Sequence, residues 1–77
     1  MSDKRLLVWR VRKGRECVEC WVSVTTEGAF TVTFEGAVLG APQTFLGWNS
    51  AARLVAERRA VLLESGWLAD YVWSVPG

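Results

Sequence analysis

The chain has no histidine, one methionine, two prolines and two cysteines among its 77 residues. Each shortage removes a class of chemistry. Without histidine there is no imidazole general base and no imidazole metal ligand. Cys17 and Cys20 supply at most half of a four-ligand zinc site, so a metal could be held only if two chains shared their thiols. The glycines of "GAVLGAP" are followed by Ala41 and Pro42 rather than by the Lys-Ser/Thr pair that completes a phosphate-binding loop. Near the start, the apolar run Leu6 to Trp9 ends at Arg10. A membrane span needs roughly 18 or more apolar residues, and a signal-peptide core also needs a longer run. The expectation is a soluble, cytoplasmic protein that is not an enzyme, with no metal, cofactor, membrane or small-molecule partner.

What is present is apolar and aromatic. The composition is 51% hydrophobic and 22% charged, with five tryptophans, three phenylalanines and one tyrosine. That balance belongs to a folded chain, and the length allows one domain spanning residues 1–77. A core this small is marginal without disulfides, metal or a partner, and it cannot enclose so many rings. Aromatic surface left over is surface for association. Net charge is only +1, yet Lys4, Arg5, Arg10, Arg12, Lys13 and Arg15 set six positive charges against Asp3 in the first fifteen residues.

Alternation organises the first half. "RLLVWRVR" (5–12) places Leu7, Trp9 and Val11 on one side, and Leu6, Val8, Arg10 and Arg12 on the other. "CVECWVSV" (17–24) places Val18, Cys20, Val22 and Val24 opposite Cys17, Glu19, Trp21 and Ser23. "AFTVTFE" (29–35) places Phe30, Val32 and Phe34 opposite Thr31, Thr33 and Glu35. Turns at "KGRE" and "TTEG" join these as an antiparallel meander. A short fourth strand is expected around Ala37 to Leu39, followed by a loop that carries Phe45 back over the core.

"WNSAARLVAERRAVLLESGW" predicts a helix from about Ala51 to Ser65, capped by Asn49 or Ser50 and stopped at Gly66. Projected at about 100° per residue, Ala51, Leu54, Val55, Val61 and Leu62 form the core-facing arc, with Arg58 in its middle. Arg53, Glu57, Ala60 and Glu64 face solvent. Arg58 must therefore emerge at an edge or meet a carboxylate, with Glu16, Glu19 and Asp70 as candidates. Ala52, Ala56 and Leu63 widen the apolar arc and suggest a second contact surface. "LADYVWSV" can form a last strand or lay Tyr71 and Trp73 across the sheet.

The fold class predicted is α+β, an antiparallel meander of three to four strands followed by one helix on one face, with a C-terminal strand as an option. Residues three apart on a strand point to opposite faces, which separates the thiols of Cys17 and Cys20 and favours structural roles for both, with a redox or interchain role as the alternative. The sheet face away from the helix then presents Arg10, Arg12, Cys17, Glu19, Trp21, Thr31 and Thr33.

In architecture this is similar to Pur-type single-strand-binding repeats and to three-stranded DNA-reading modules; no stretch matches a family motif, so no residue role carries over. The functional expectation is a macromolecule-binding module, either a homo-oligomer or an adaptor or inhibitor bound to another protein. Arg10, Arg12, Trp21, Arg58, Trp67, Tyr71 and Trp73 are its candidate contact residues. The alternative is single-stranded nucleic acid bound on the open sheet face by arginine and tryptophan.

Overall fold

The computed structural model describes residues 5–36 and 41–73. Five strands, β1 (Arg5–Lys13), β2 (Glu16–Val24), β3 (Phe30–Gly36), β4 (Gln43–Phe45) and β5 (Leu68–Val72), and one helix, α1 (Trp48–Glu64), make an α+β fold. The sheet is antiparallel throughout, in the order β4-β3-β2-β1-β5. The β1-β2-β3 meander follows the alternation in the sequence, and the C-terminal segment does add a strand, beside β1. The fourth strand lies at Gln43–Phe45, so Phe45 reaches the core from a strand rather than a loop. The expected strand at 37–39 lies outside the described residues.

Trp9, Val11, Val18, Cys20, Val22, Val32 and Phe34 line the inner sheet face and pack against Ala51, Val55 and Leu62 of α1 and against Trp67. The ring of Trp9 leans on Phe34 with centroids 5.9 Å apart, and its indole N–H donates to the carbonyl of Val55 at 3.0 Å. That bond matters because a buried indole donor without a partner would be costly. Val24 belongs to this face through its pairing with Phe30, but it sits at the strand end and is exposed.

One irregularity reverses part of the first strand. Leu6 pairs with Val22 and Leu7 with Trp21, whereas Trp9 pairs with Cys20, so Val8 is an extra residue. A β-bulge of this kind shifts the alternation by one. Leu6 therefore shares the helix-side face with Val22, and Leu7 lies on the open face with Trp21. This is the opposite of simple alternation.

The helix begins earlier than its sequence signals suggest. Gly47 is the N-cap, with no side-chain hydrogen bond, so neither Asn49 nor Ser50 caps it. No acidic residue occupies the first turn and no basic residue the last. With little help from capping or dipole complementarity, α1 depends on packing. Its C-terminus is better closed. Trp67 N–H donates to Leu62 O, Gly66 N–H to Leu63 O, and Gly66 has φ of 96°. This is the Schellman arrangement, and it brings Trp67 and Leu62 together in the core. From β1, the Lys13 ammonium donates to Ser65 O at 3.1 Å and supplies the cation that the last turn lacks.

The buried line of α1 runs through Ala51, Val55 and Leu62, with Leu54 and Leu63 on its flanks. Val61, expected in the core arc, is exposed. Arg58 does sit over the sheet, yet it meets none of the expected carboxylates. Its guanidinium carbon lies 5.2 Å from the centre of the Phe34 ring. A cation over an aromatic face keeps favourable electrostatics while the side chain's methylenes cover apolar surface.

Candidate interaction surface

The sheet face away from α1 collects Arg5, Leu7, Arg10 and Arg12 from β1, and Cys17, Glu19, Trp21 and Ser23 from β2. Thr31, Thr33 and Glu35 come from β3 and Thr44 from β4. Arg10, Arg12, Cys17, Glu19, Trp21, Thr31 and Thr33 are there as expected, whereas Leu6, which simple alternation sets beside Arg10, is not. Across the sheet, the Thr31 and Thr44 hydroxyls are 3.0 Å apart.

Apart from Arg12, the charged groups of the face are joined in one network. Arg5 pairs with Glu35, and its guanidinium carbon lies 4.6 Å from the centre of the Trp21 ring. The Trp21 indole N–H donates to Glu19 Oε1 at 3.2 Å, and Arg10 Nε donates to Glu19 Oε2 at 3.0 Å. Arg10 Nη1 reaches Asp70 Oδ2 of β5 at 3.5 Å. The Glu19 hydrogen bond, aided by Asp70, holds the Arg10 pKa above its already high ordinary value, so that charge is permanent. Arg5, Arg10 and Arg12 stand against Glu19, Glu35 and Asp70, three charges of each sign, and the face is neutral. The Trp21 ring is covered by Arg5 rather than bare. Its candidacy as a stacking platform is correspondingly reduced.

The remaining candidates divide. Tyr71 pairs with Arg10 on the open face. Trp73 follows β5 and donates its backbone N–H to Val8 O at 2.8 Å, and both Tyr71 and Trp73 are exposed. Arg58 is on the helix side of the sheet. Trp67 is buried in the core, where it closes the helix C-terminus. Residues that sequence reasoning left out are Leu68 and Val72 of β5, the first 72% and the second 48% exposed. The signal for them was the strand pattern of "LADYV" itself, once β5 is placed at an edge.

The two thiols are on opposite faces, Cys20 between Trp9 and Phe34 and Cys17 beside Arg12. Burial pushes the Cys20 thiol from its ordinary value of 9.0 to about 12. Two results are expected. In native protein, an aromatic disulfide reagent modifies Cys17 and leaves Cys20 unmodified until the chain unfolds, so rapid reaction of both thiols would contradict this placement. Above pH 9 the unfolded chain releases the Cys20 proton while the native chain retains it to about 12. Stability therefore falls with rising pH in that window, by up to roughly 1 kcal/mol per pH unit. Thermal melts of Cys20→Ala should show a shallower alkaline decline than the wild type.

Comparison with models of protein families, with curated proteins and with solved structures finds no match to this chain. Among the described residues, no helix is long and apolar enough to cross a membrane.

Proposed function

We propose that this chain is a small protein-binding module that acts through self-association. The observation that carries this reading is the state of β5. All five of its residues are exposed, and Leu68, Tyr71 and Val72, followed by Trp73, form an apolar run along one edge of the sheet. Apolar side chains concentrated in this way mark an association surface rather than the scattered exposure of any small domain. Tryptophan and tyrosine are also the side chains that most often anchor protein interfaces.

The nucleic-acid reading has less support. A phosphate backbone needs unneutralised cations, and Arg5 and Arg10 are already committed to Glu35, Glu19 and Asp70. Arg12 is exposed and makes no ion pair with a described residue, which leaves one arginine for the whole face.

Two measurements separate the readings. Light scattering over a concentration series should show a mass rising above the 8.6 kDa of one chain, and a mass that stays there at high micromolar concentration refutes self-association. Titration with mixed-sequence single-stranded oligonucleotide at low salt should give no binding. Binding that weakens steeply with salt would favour nucleic acid instead.

A further inference from the structure

We infer that a second copy of this chain binds along the free edge of β5, the two strands pairing antiparallel about a two-fold axis at Val72. The inference rests on the self-association reading and specifies its geometry.

The sheet has two edges, and they are not equivalent. β4 has three residues, preceded by Pro42, and its polar Gln43 and Thr44 make it a poor template for a further strand. β5 has five residues, with neither proline nor lysine. Its own irregularity lies at Asp70. Arg10 pairs with Tyr71 and Val11 with Ala69, so Asp70 is the extra residue of a bulge. The regular part of the edge is thus Tyr71 to Trp73.

Hydrogen-bonding direction then singles out one position. Trp73 N–H points inward, to Val8 O. Backbone groups alternate sides along an antiparallel strand, so the N–H and C=O of Val72 point away from β1, to the open side. In a pair related by a two-fold axis, one residue faces its own copy and can exchange both hydrogen bonds with it. Among the described residues neither of these groups of Val72 has a partner, and its side chain is exposed. Centring the axis there sets Val72 opposite Val72 of the second copy, and Tyr71 opposite its Trp73. Faces match under this register, since strand neighbours of Val72 on either side point the same way.

Charge is also compatible. A register centred on Asp70 would oppose two carboxylates. Centred on Val72, each Asp70 is displaced from its copy by four residues along the strand, about 14 Å, which exceeds the screening length of roughly 8 Å at physiological salt. Each Arg10–Asp70 pair can stay intact.

The area sets the strength. Tyr71, Val72 and Trp73 with their backbone offer on the order of 300 Å² per protomer, against about 800 Å² in a standard stable interface. The dimer is therefore weak and reversible, dissociating in the micromolar range or above.

Sedimentation equilibrium of the full chain and of Val72→Lys tests this. The wild type should approach twice 8.6 kDa with rising concentration, and Val72→Lys should weaken dimerisation at least about tenfold with unchanged circular dichroism. Val72→Cys in a Cys17→Ser background should form a disulfide-linked dimer on mild oxidation, whereas Leu46→Cys in that background should not. Protection of the Val72 amide from hydrogen exchange should rise with protein concentration. A wild-type dimer that Val72→Lys leaves unchanged would overturn the β5 edge and leave self-association standing. A wild type monomeric throughout would overturn both, and if an unrelated extended peptide alone protected Val72, the occupant would be wrong and the edge right.

Discussion

Trp9→Ala is expected to be the most destabilising substitution in the core. Trp9 is 2% exposed at the centre of the core, touches Phe34 and donates to the Val55 carbonyl of α1. Truncating a buried tryptophan costs about 3–5 kcal/mol through lost transfer energy and the cavity left behind. A 77-residue domain at the usual value per residue has roughly 4–12 kcal/mol in total. The substitution removes a large share of that, and at the lower end all of it. Trp9→Phe separates the two contributions. It retains most of the ring volume and loses the indole N–H, and should cost about 1–3 kcal/mol. Urea unfolding followed by far-ultraviolet circular dichroism measures both; a loss below about 1.5 kcal/mol for Trp9→Ala would mean that this residue does not tie sheet to helix as described.

Gly36→Ala should rank second, and its cost arises in the backbone. Gly36 has φ of 118°, a conformation that L-residues rarely adopt. A Cβ added there would lie 2.1 Å from the carbonyl oxygen of Cys17 and 3.0 Å from its carbon. Both are main-chain atoms of β2, so no rotamer change relieves the overlap, and the ends of β2 and β3 must separate. The expected loss is about 3 kcal/mol or more, combining strained dihedrals with overpacking. Gly28→Ala is the control. Gly28 also has positive φ, at 84°, but a Cβ there meets nothing within 4 Å. It should cost about 1–2 kcal/mol from conformation alone. Equal losses at the two positions would remove the steric account of Gly36. Separation of β2 from β3 should also speed modification of Cys17, which sits at that end of the sheet.

The sequence discloses most of this fold where a side-chain pattern and a local rule agree. Val18, Cys20 and Val22 alternate without interruption, and they form the core face as alternation predicts. Gly66 stops the helix because only the left-handed conformation closes it in this way. The departures have physical causes. The bulge at Val8 leaves no mark in "RLLVWRVR", since all four residues from Leu6 to Trp9 are apolar and suit either face. Polar Asn49 and Ser50 resemble caps, but the helix begins at Trp48 after Gly47, so both lie inside its first turn. A helical projection treats all apolar residues alike and so directs Val61 inward. The buried line runs through Ala51, Val55 and Leu62, and Val61 lies outside it.

The open face was legible in its membership and not in its state. Arg10, Arg12, Trp21 and Glu19 could be assigned to one side from period two alone. That Arg5 would lie over Trp21 while pairing with Glu35 depends on long side chains crossing the strand between them. Sequence spacing carries no information on such reach. That network turns an apparently basic, aromatic surface into a neutral one. The same limit hid β5, because which strand forms an edge is a property of the whole sheet order.

Strand order also fixes when each pairing becomes available to a chain made from its N-terminus. β1, β2 and β3 can pair as soon as Gly36 has emerged, each strand next to its neighbour in sequence. The other side of β1 waits for β5, some 60 residues later, since Arg12 pairs with Leu68 and Trp9 with Val72. Until β5 has been made, a nine-residue strand containing Leu7, Val8 and Trp9 lacks its partner on that side. Closing that edge involves the contacts most distant in sequence among the described residues, and contacts of such separation are slow to form. A nascent or truncated chain lacking β5 would thus display a longer and more apolar template than the finished protein does, and the last strand acts as its cover.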